Sequence, residues 1–183
     1  MDTTEYKVSK LLFIKGAFIK DCIQIDDIFE QQLIEQLGNE NTTVVYDKIP
    51  SIFTGIKSWL TQTNVKCWYC DLNFSGVPVF IPKLIEPSNT PSGYIIGTYG
   101  CFCSFSCALH FIIINIKTIC DKLQSTEMLL FLYKIFHGYN IKEIFPSPSK
   151  YDMVQYGGDI EPIAYKKLIN ELKKKMSEAE LRK

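Results

Sequence analysis

Two close pairs of cysteines, Cys67-Trp68-Tyr69-Cys70 and Cys103-Ser104-Phe105-Ser106-Cys107, restrict what this chain can fold into more than any other feature. Paired thiolates a turn apart are how proteins grip zinc, and a closed tetrahedral site of four sulfurs at about 2.3 Å leaves no position for water or substrate. The spacing predicts one structural zinc ion held by Cys67, Cys70, Cys103 and Cys107. It points to a binding or regulatory protein and away from a zinc hydrolase.

The two half-sites present their sulfurs differently. With two residues between them, Cys67 and Cys70 form a knuckle, a tight turn whose backbone N–H groups can donate to sulfur. In the second half-site Ser104 is a good N-cap residue before a long apolar stretch, so Cys107 falls at the third helical position. The helix dipole favours negative charge there. One zinc with four thiolates carries a net charge of −2, which Lys66 is placed to offset in part.

Other readings of the seven cysteines, at 22, 67, 70, 101, 103, 107 and 120, are weaker. A disulfide framework fits poorly with an odd count and no secretory signal peptide. A redox pair at Cys67 and Cys70 should open a helix after a central strand, whereas Asp71 to Gly76 reads as a turn. Cys101, two residues from Cys103 in an extended segment, points to the same face and is an alternative third ligand. His110 reads as a packed or surface histidine sooner than a ligand. Cys22 and Cys120 sit in apolar runs and read as core thiols.

The string Lys66-Cys67-Trp68-Tyr69-Cys70, with Gly100-Cys101-Phe102-Cys103-Ser104-Phe105-Ser106-Cys107-Ala108 downstream, resembles the FCS or MYM-type zinc finger of the viral late gene transcription factor 2 family. That family belongs to poxviruses, asfarviruses and other nucleocytoplasmic large DNA viruses. Phe145-Pro146-Ser147-Pro148 followed by Tyr156-Gly157-Gly158 is similar to the proline-rich turn and Gly-Gly segment of its giant-virus members. The resemblance spans roughly residues 66 to 168. It implies the zinc-ligand role for Cys67, Cys70, Cys103 and Cys107, and a treble-clef-like finger. Cys101 is extra relative to the poxvirus motif. The resemblance further implies an adaptor or coactivator of a virus-encoded RNA polymerase, acting with other late transcription factors in the cytoplasm of the infected cell, at the virus factory. Two other functions stay open: nucleic-acid binding by the finger and its basic tail, and a host-directed interaction module that antagonises innate immune signalling.

A chain of 183 residues, 46% of them hydrophobic, can bury a sizeable core yet is near the size of one domain. The expected class is α+β, a small antiparallel zinc-bound element packed with several helices. Residues 1–62 form an N-terminal mixed region, 63–122 the finger region and 123–183 a helical region, together one compact unit. The apolar run from Ala108 to Ile116 falls short of the roughly 20 residues a membrane span requires and reads as a buried helix.

Residues 8–25 read either as a hairpin bent at Gly16 or as an amphipathic helix, and Asp27 with Glu30 forms a capping box for a helix to Leu37. Ser51 caps a short helix in which Phe53, Ile56 and Leu60 share a face. Val77–Ile81 and Tyr94–Ile96 read as strands on either side of a surface loop, Pro87 to Gly93. A further helix covers Thr126 to His137, ended by Gly138. Pro146 and Pro148 then impose an extended turn, and Gly157-Gly158 is a second turn.

Lys plus Arg equals Asp plus Glu at 20 each, so no overall positive field draws the chain to phosphate. Locally, seven Lys or Arg and three Glu lie between Ile163 and Lys183, an excess of four positive charges. With Ile163, Leu168, Ile169, Leu172 and Met176 on one face, this tract reads as a solvated helix packed by its apolar stripe. Trp68, Tyr69, Phe102 and Phe105 wall the zinc core, with one or two free to anchor a partner. Neither His110 nor His137 lies near an activated nucleophile, and no Gly-rich loop carries the Lys-Ser or Lys-Thr of a phosphate-binding motif. The expectation is a non-enzyme.

Overall fold

The computed structural model describes residues 45–181. The readings for residues 8–25, the helix from Asp27 to Leu37 and the core role of Cys22 lie outside the described residues. Within them the class is α+β: three strands, β1 (Ile52–Phe53), β2 (Val79–Pro87) and β3 (Tyr94–Phe102), and three α-helices, α1 (Phe105–Asn115), α2 (Ile119–His137) and α3 (Pro162–Leu181).

The sheet is antiparallel with order β1-β3-β2. β2 and β3 form a hairpin whose loop, as expected, comprises turn-forming residues: Ser88 N–H donates to the Gly93 carbonyl at 2.9 Å. Both strands outrun the sequence reading, because Lys83 to Pro87 continues to pair as far as Tyr94. Val77 stays outside β2. The register shifts between Val79 and Ile81 and between Pro82 and Leu84. A proline cannot donate to the ladder, so such an irregularity is where a strand tolerates one.

The helix expected after Ser51 does not form. Ile52 and Phe53 pair with Gly97 and Ile96 instead, and the Ser51 carbonyl accepts the Thr98 N–H at 2.9 Å. A β-branched residue beside an aromatic gains more on the edge of β3 than a one-turn helix returns. What remains helical is a 3-10 turn at Ile56–Ser58. Phe53 and Leu60 are buried while Ile56 faces solvent, so the three share no face.

α2 starts seven residues before the expected Thr126, because Thr118 caps it by accepting the Asp121 N–H at 3.1 Å. Thr126 lies mid-helix and returns its hydroxyl to the Lys122 carbonyl at 2.8 Å. Its end is as expected, with Gly138 in the left-handed conformation at φ 80°. The early start carries Cys120 onto the solvent side of the first turn, so it is exposed and no core thiol. In α1, Phe105 through Leu109 and Ile112 are buried, but Ile113 and Ile114 face out, so the helix is buried along one side only. In α3, Ile169 and Met176 are buried as expected. Ile163 is exposed, and Tyr165 takes its place on the inner face.

One hydrophobic cluster joins all of these elements. Its centre is aromatic: Phe53, Trp59 and Phe80 pack with centroids 4.8–5.4 Å apart, and Phe136 of α2 covers Phe53 at 5.7 Å. The indole N–H of Trp59 is satisfied by the Pro78 carbonyl at 2.9 Å. Edge-to-face and tilted packing of this kind suits the ring quadrupoles. Phe105, in the first turn of α1, meets Tyr133 at 4.9 Å and Phe136 at 5.6 Å, which fixes α1 against α2.

Candidate metal centre

The knuckle is built by its own backbone. Asp71 N–H donates to the Cys67 carbonyl at 2.9 Å, and Cys67 N–H donates to the Leu72 carbonyl at 3.1 Å. Closing so tight a turn puts Asp71 at φ 58°, a left-handed conformation that aspartate tolerates better than most residues. Trp68 N–H then donates to the Cys101 carbonyl at 2.8 Å, which ties the knuckle to the end of β3. Past that tie the chain turns into α1. Ser104 accepts the Cys107 N–H at 3.1 Å as the N-cap, and Cys107 occupies the third helical position.

These two devices converge the sulfurs of Cys67, Cys70, Cys103 and Cys107, all within 4.8 Å of one another. Cys70 and Cys103 sulfurs are 3.9 Å apart, and Cys103 and Cys107 are 3.5 Å apart. Four ligands at about 2.3 Å around a tetrahedral ion stand about 3.8 Å from each other, whereas a disulfide closes to about 2.05 Å. The donor set and its spacing fit a four-coordinate metal with soft-ligand preference, and all four cysteines are free thiols. Cys67, Cys70 and Cys107 are buried, and Cys103 is partly exposed.

The cluster is electrostatically poised for such an ion. Sulfur contacts from Cys103, Cys107 and Cys70, with the Cys70 backbone N–H, hold the Cys67 thiol far below the ordinary cysteine range. Cys107 moves the other way, pushed up by its contacts with Cys103 and Cys67. Thiolates, not thiols, are the metal-binding form, so a cation held by these four sulfurs would release protons as it binds.

Cys101 lies outside this cluster. It is buried, with its thiol directed to the Val65 carbonyl at 3.7 Å, and burial pushes its pKa up to about 12. β3 ends at Phe102, so Cys103 lies beyond the strand, and strand alternation does not bring Cys101 into the cluster with it. His110 is packed. Its ring stacks on Tyr69 at 4.5 Å, and Nδ1 donates to the Ser147 carbonyl at 2.6 Å, which fixes the proton on that nitrogen. Tyr69 Oη donates to the Pro148 carbonyl at 3.2 Å and accepts the Lys150 N–H at 3.3 Å, while Tyr165 Oη donates to the same Pro148 carbonyl at 2.7 Å. The proline-rich turn is thereby clasped between knuckle, α1 and α3.

Lys66 is exposed and makes no ion pair among the described residues. The cations beside the knuckle come from far along the chain: Lys150 pairs with Asp71 at 3.1 Å, and Tyr156 Oη also donates to that carboxylate. Lys166 and Lys173 of α3 line a cleft that reaches Cys70 and Cys103. Of the aromatics expected to wall the centre, Tyr69, Phe102 and Phe105 are buried, but Trp68 is 46% exposed.

Over 173 residues the chain is 31% identical to the uncharacterized protein B175L of African swine fever virus (strain Badajoz 1971 Vero-adapted), covering 94% of this chain and 96% of the viral protein. The chain belongs to the B175L family. The counterpart in the Kenya 1950 pig isolate is 30% identical over 177 residues. An uncharacterized protein of Acanthamoeba polyphaga mimivirus is 31% identical over 139 residues, 73% of this chain and 36% of that longer protein. No family model and no solved structure matches the chain. Relatives in African swine fever virus and in a mimivirus make this a protein of the large DNA viruses, the lineage expected from the sequence resemblance.

Proposed function

We propose that the cluster holds a single structural zinc ion and that the chain is an adaptor of viral late transcription, recruiting virus-encoded RNA polymerase or its late factors rather than catalysing a reaction. The observation that carries the zinc is the four-thiol geometry: every ligand position is a cysteine and none is left for a substrate. The transcription role is supported by the resemblance of the Lys66–Cys70 and Gly100–Ala108 strings to the late transcription factor finger, and by the viral lineage of the relatives. We place it in the cytoplasmic virus factory on the same ground; no helix among the described residues is long and apolar enough to cross a membrane.

An adaptor needs a contact surface, and one lies on the outside of the centre. Trp68, half exposed, meets Tyr99 of β3 at 5.4 Å and Phe111 of α1 at 6.4 Å, with the Lys83 ammonium 4.2 Å above the Tyr99 ring. Such aromatic groups dominate binding energy at protein interfaces. Affinity purification of the tagged protein from infected cells, wild type against Trp68→Ala, tests the reading. Viral polymerase subunits enriched with wild type and depleted with the variant support it. Host signalling proteins enriched in their place would establish the host-directed alternative.

A further inference from the structure

α3 presents Lys166, Asn170 and Lys173 on one stripe, since i, i+4 and i+7 fall on one side of a helix. Facing them across a cleft of ≈ 130 Å³ are Asn73 and Ser75 from the loop that follows the knuckle, with Cys103 at its base. Leu72, Phe74 and Ile169 supply the apolar part of the lining and Cys70 a second sulfur, while the remaining polar groups are of one kind. Two ammonium groups, two carboxamides and a hydroxyl can all donate hydrogen bonds, and no carboxylate lines the cleft. Lys166 and Lys173 make no ion pair among the described residues, although Glu171 and Glu178 share their helix. Both lysines, Asn170, Asn73 and Ser75 are solvent-exposed, so the cleft opens outward.

We propose that this cleft binds a phosphoryl group, either a backbone phosphate of nucleic acid or a free phosphate. Two unpaired cations two helical turns apart can reach one tetrahedral anion from either side, and the amides and hydroxyl complete its hydrogen bonds. The thiolates at the base set a limit on depth: the anion stays at the mouth, near the lysines. The inference is independent of the late-transcription reading, because it rests on the cleft walls alone.

The rival explanation is that the lysines only offset the charge of the metal centre, and the test separates the two. Zinc-loaded full-length protein is titrated with a fluorescein-labelled 20-mer of single-stranded DNA and, separately, with pyrophosphate while side-chain amide signals are followed by NMR. The variant is Lys166→Ala/Lys173→Ala; the control, Lys167→Ala/Lys174→Ala, removes equal charge from the same helix away from the cleft. Oligonucleotide binding weakened at least about tenfold by the cleft pair and less than about twofold by the control, with the slope of log K on log salt reduced by about 1.4, identifies a backbone phosphate. Pyrophosphate shifts of the Asn73 and Asn170 amides, lost in the cleft variant and without oligonucleotide binding, identify a free phosphate. Equal weakening by both pairs, no binding of either probe, or loss of zinc from the cleft variant with unchanged phosphate response would overturn the proposal.

Discussion

A methyl group at Gly100 would sit 2.6 Å from Phe102 Cε2 and 3.2 Å from Trp68 Cε3, on a backbone at φ 79°. Both the left-handed backbone and the ring packing next to the cysteine cluster thus depend on a missing side chain. Gly100→Ala should cost at least about 1–2 kcal/mol from the backbone alone, read as a lower midpoint in urea. Near His137 the charge balance makes a different prediction. Burial, then the nearby Lys173 ammonium, holds its pKa below 6.5. A depressed histidine contributes stability above its unfolded pKa and loses it as pH falls. From pH 7 to 5.5, wild type should therefore lose stability more steeply than His137→Gln, with zinc content checked at each pH; parallel slopes would dispose of this account. At this scale the sequence was most legible where local chemistry decides: the Ser104 cap and the position of Cys107 in the first turn follow from neighbours within four residues. It was least legible where a ring or charge arrives from far along the chain. Lys150 reaches Asp71 and Tyr165 reaches Pro148 through tertiary structure alone.

Among the elements, α1 and the β2–β3 hairpin are positioned by contacts that a sequence pattern conveys, and β1 is not. A serine before an apolar run is the mark of a helix cap, yet Ser51 precedes a strand because the edge of β3 is free to receive Ile52 and Phe53. The start of α2 was equally open to error, since Thr118 and Thr126 are both acceptable caps and only the fold selects the first. Thr118→Ala should cost about 1 kcal/mol, whereas Thr126→Ala should be near neutral, because a mid-helix hydroxyl returned to the preceding turn adds little. Thermal melts of the two variants check this; equal losses would put the helix start elsewhere. The tie between Trp68 N–H and the Cys101 carbonyl explains why the hairpin matters to the centre: it brings the knuckle to the end of β3, where the chain turns into α1.

For the molecule, the four-cysteine cluster lies where parts of the chain far apart in sequence meet. The knuckle, the start of α1, the proline-rich turn and α3 converge on Tyr69, His110 and Tyr165, directly behind the cluster. If zinc holds the four sulfurs, its binding energy is folding energy for all of them. Chelation at neutral pH should then loosen the middle of the chain and expose Tyr69 and Tyr165, while the aromatic core around Phe53, Trp59 and Phe80 persists longer; hydrogen exchange resolved by peptide reads both. Elemental mass spectrometry of freshly reduced protein tests the central claim most directly. One zinc per chain in wild type and in Cys101→Ser, and none in Cys103→Ser, is the predicted result; no metal in wild type, or a loss with Cys101→Ser equal to that with Cys103→Ser, would contradict it.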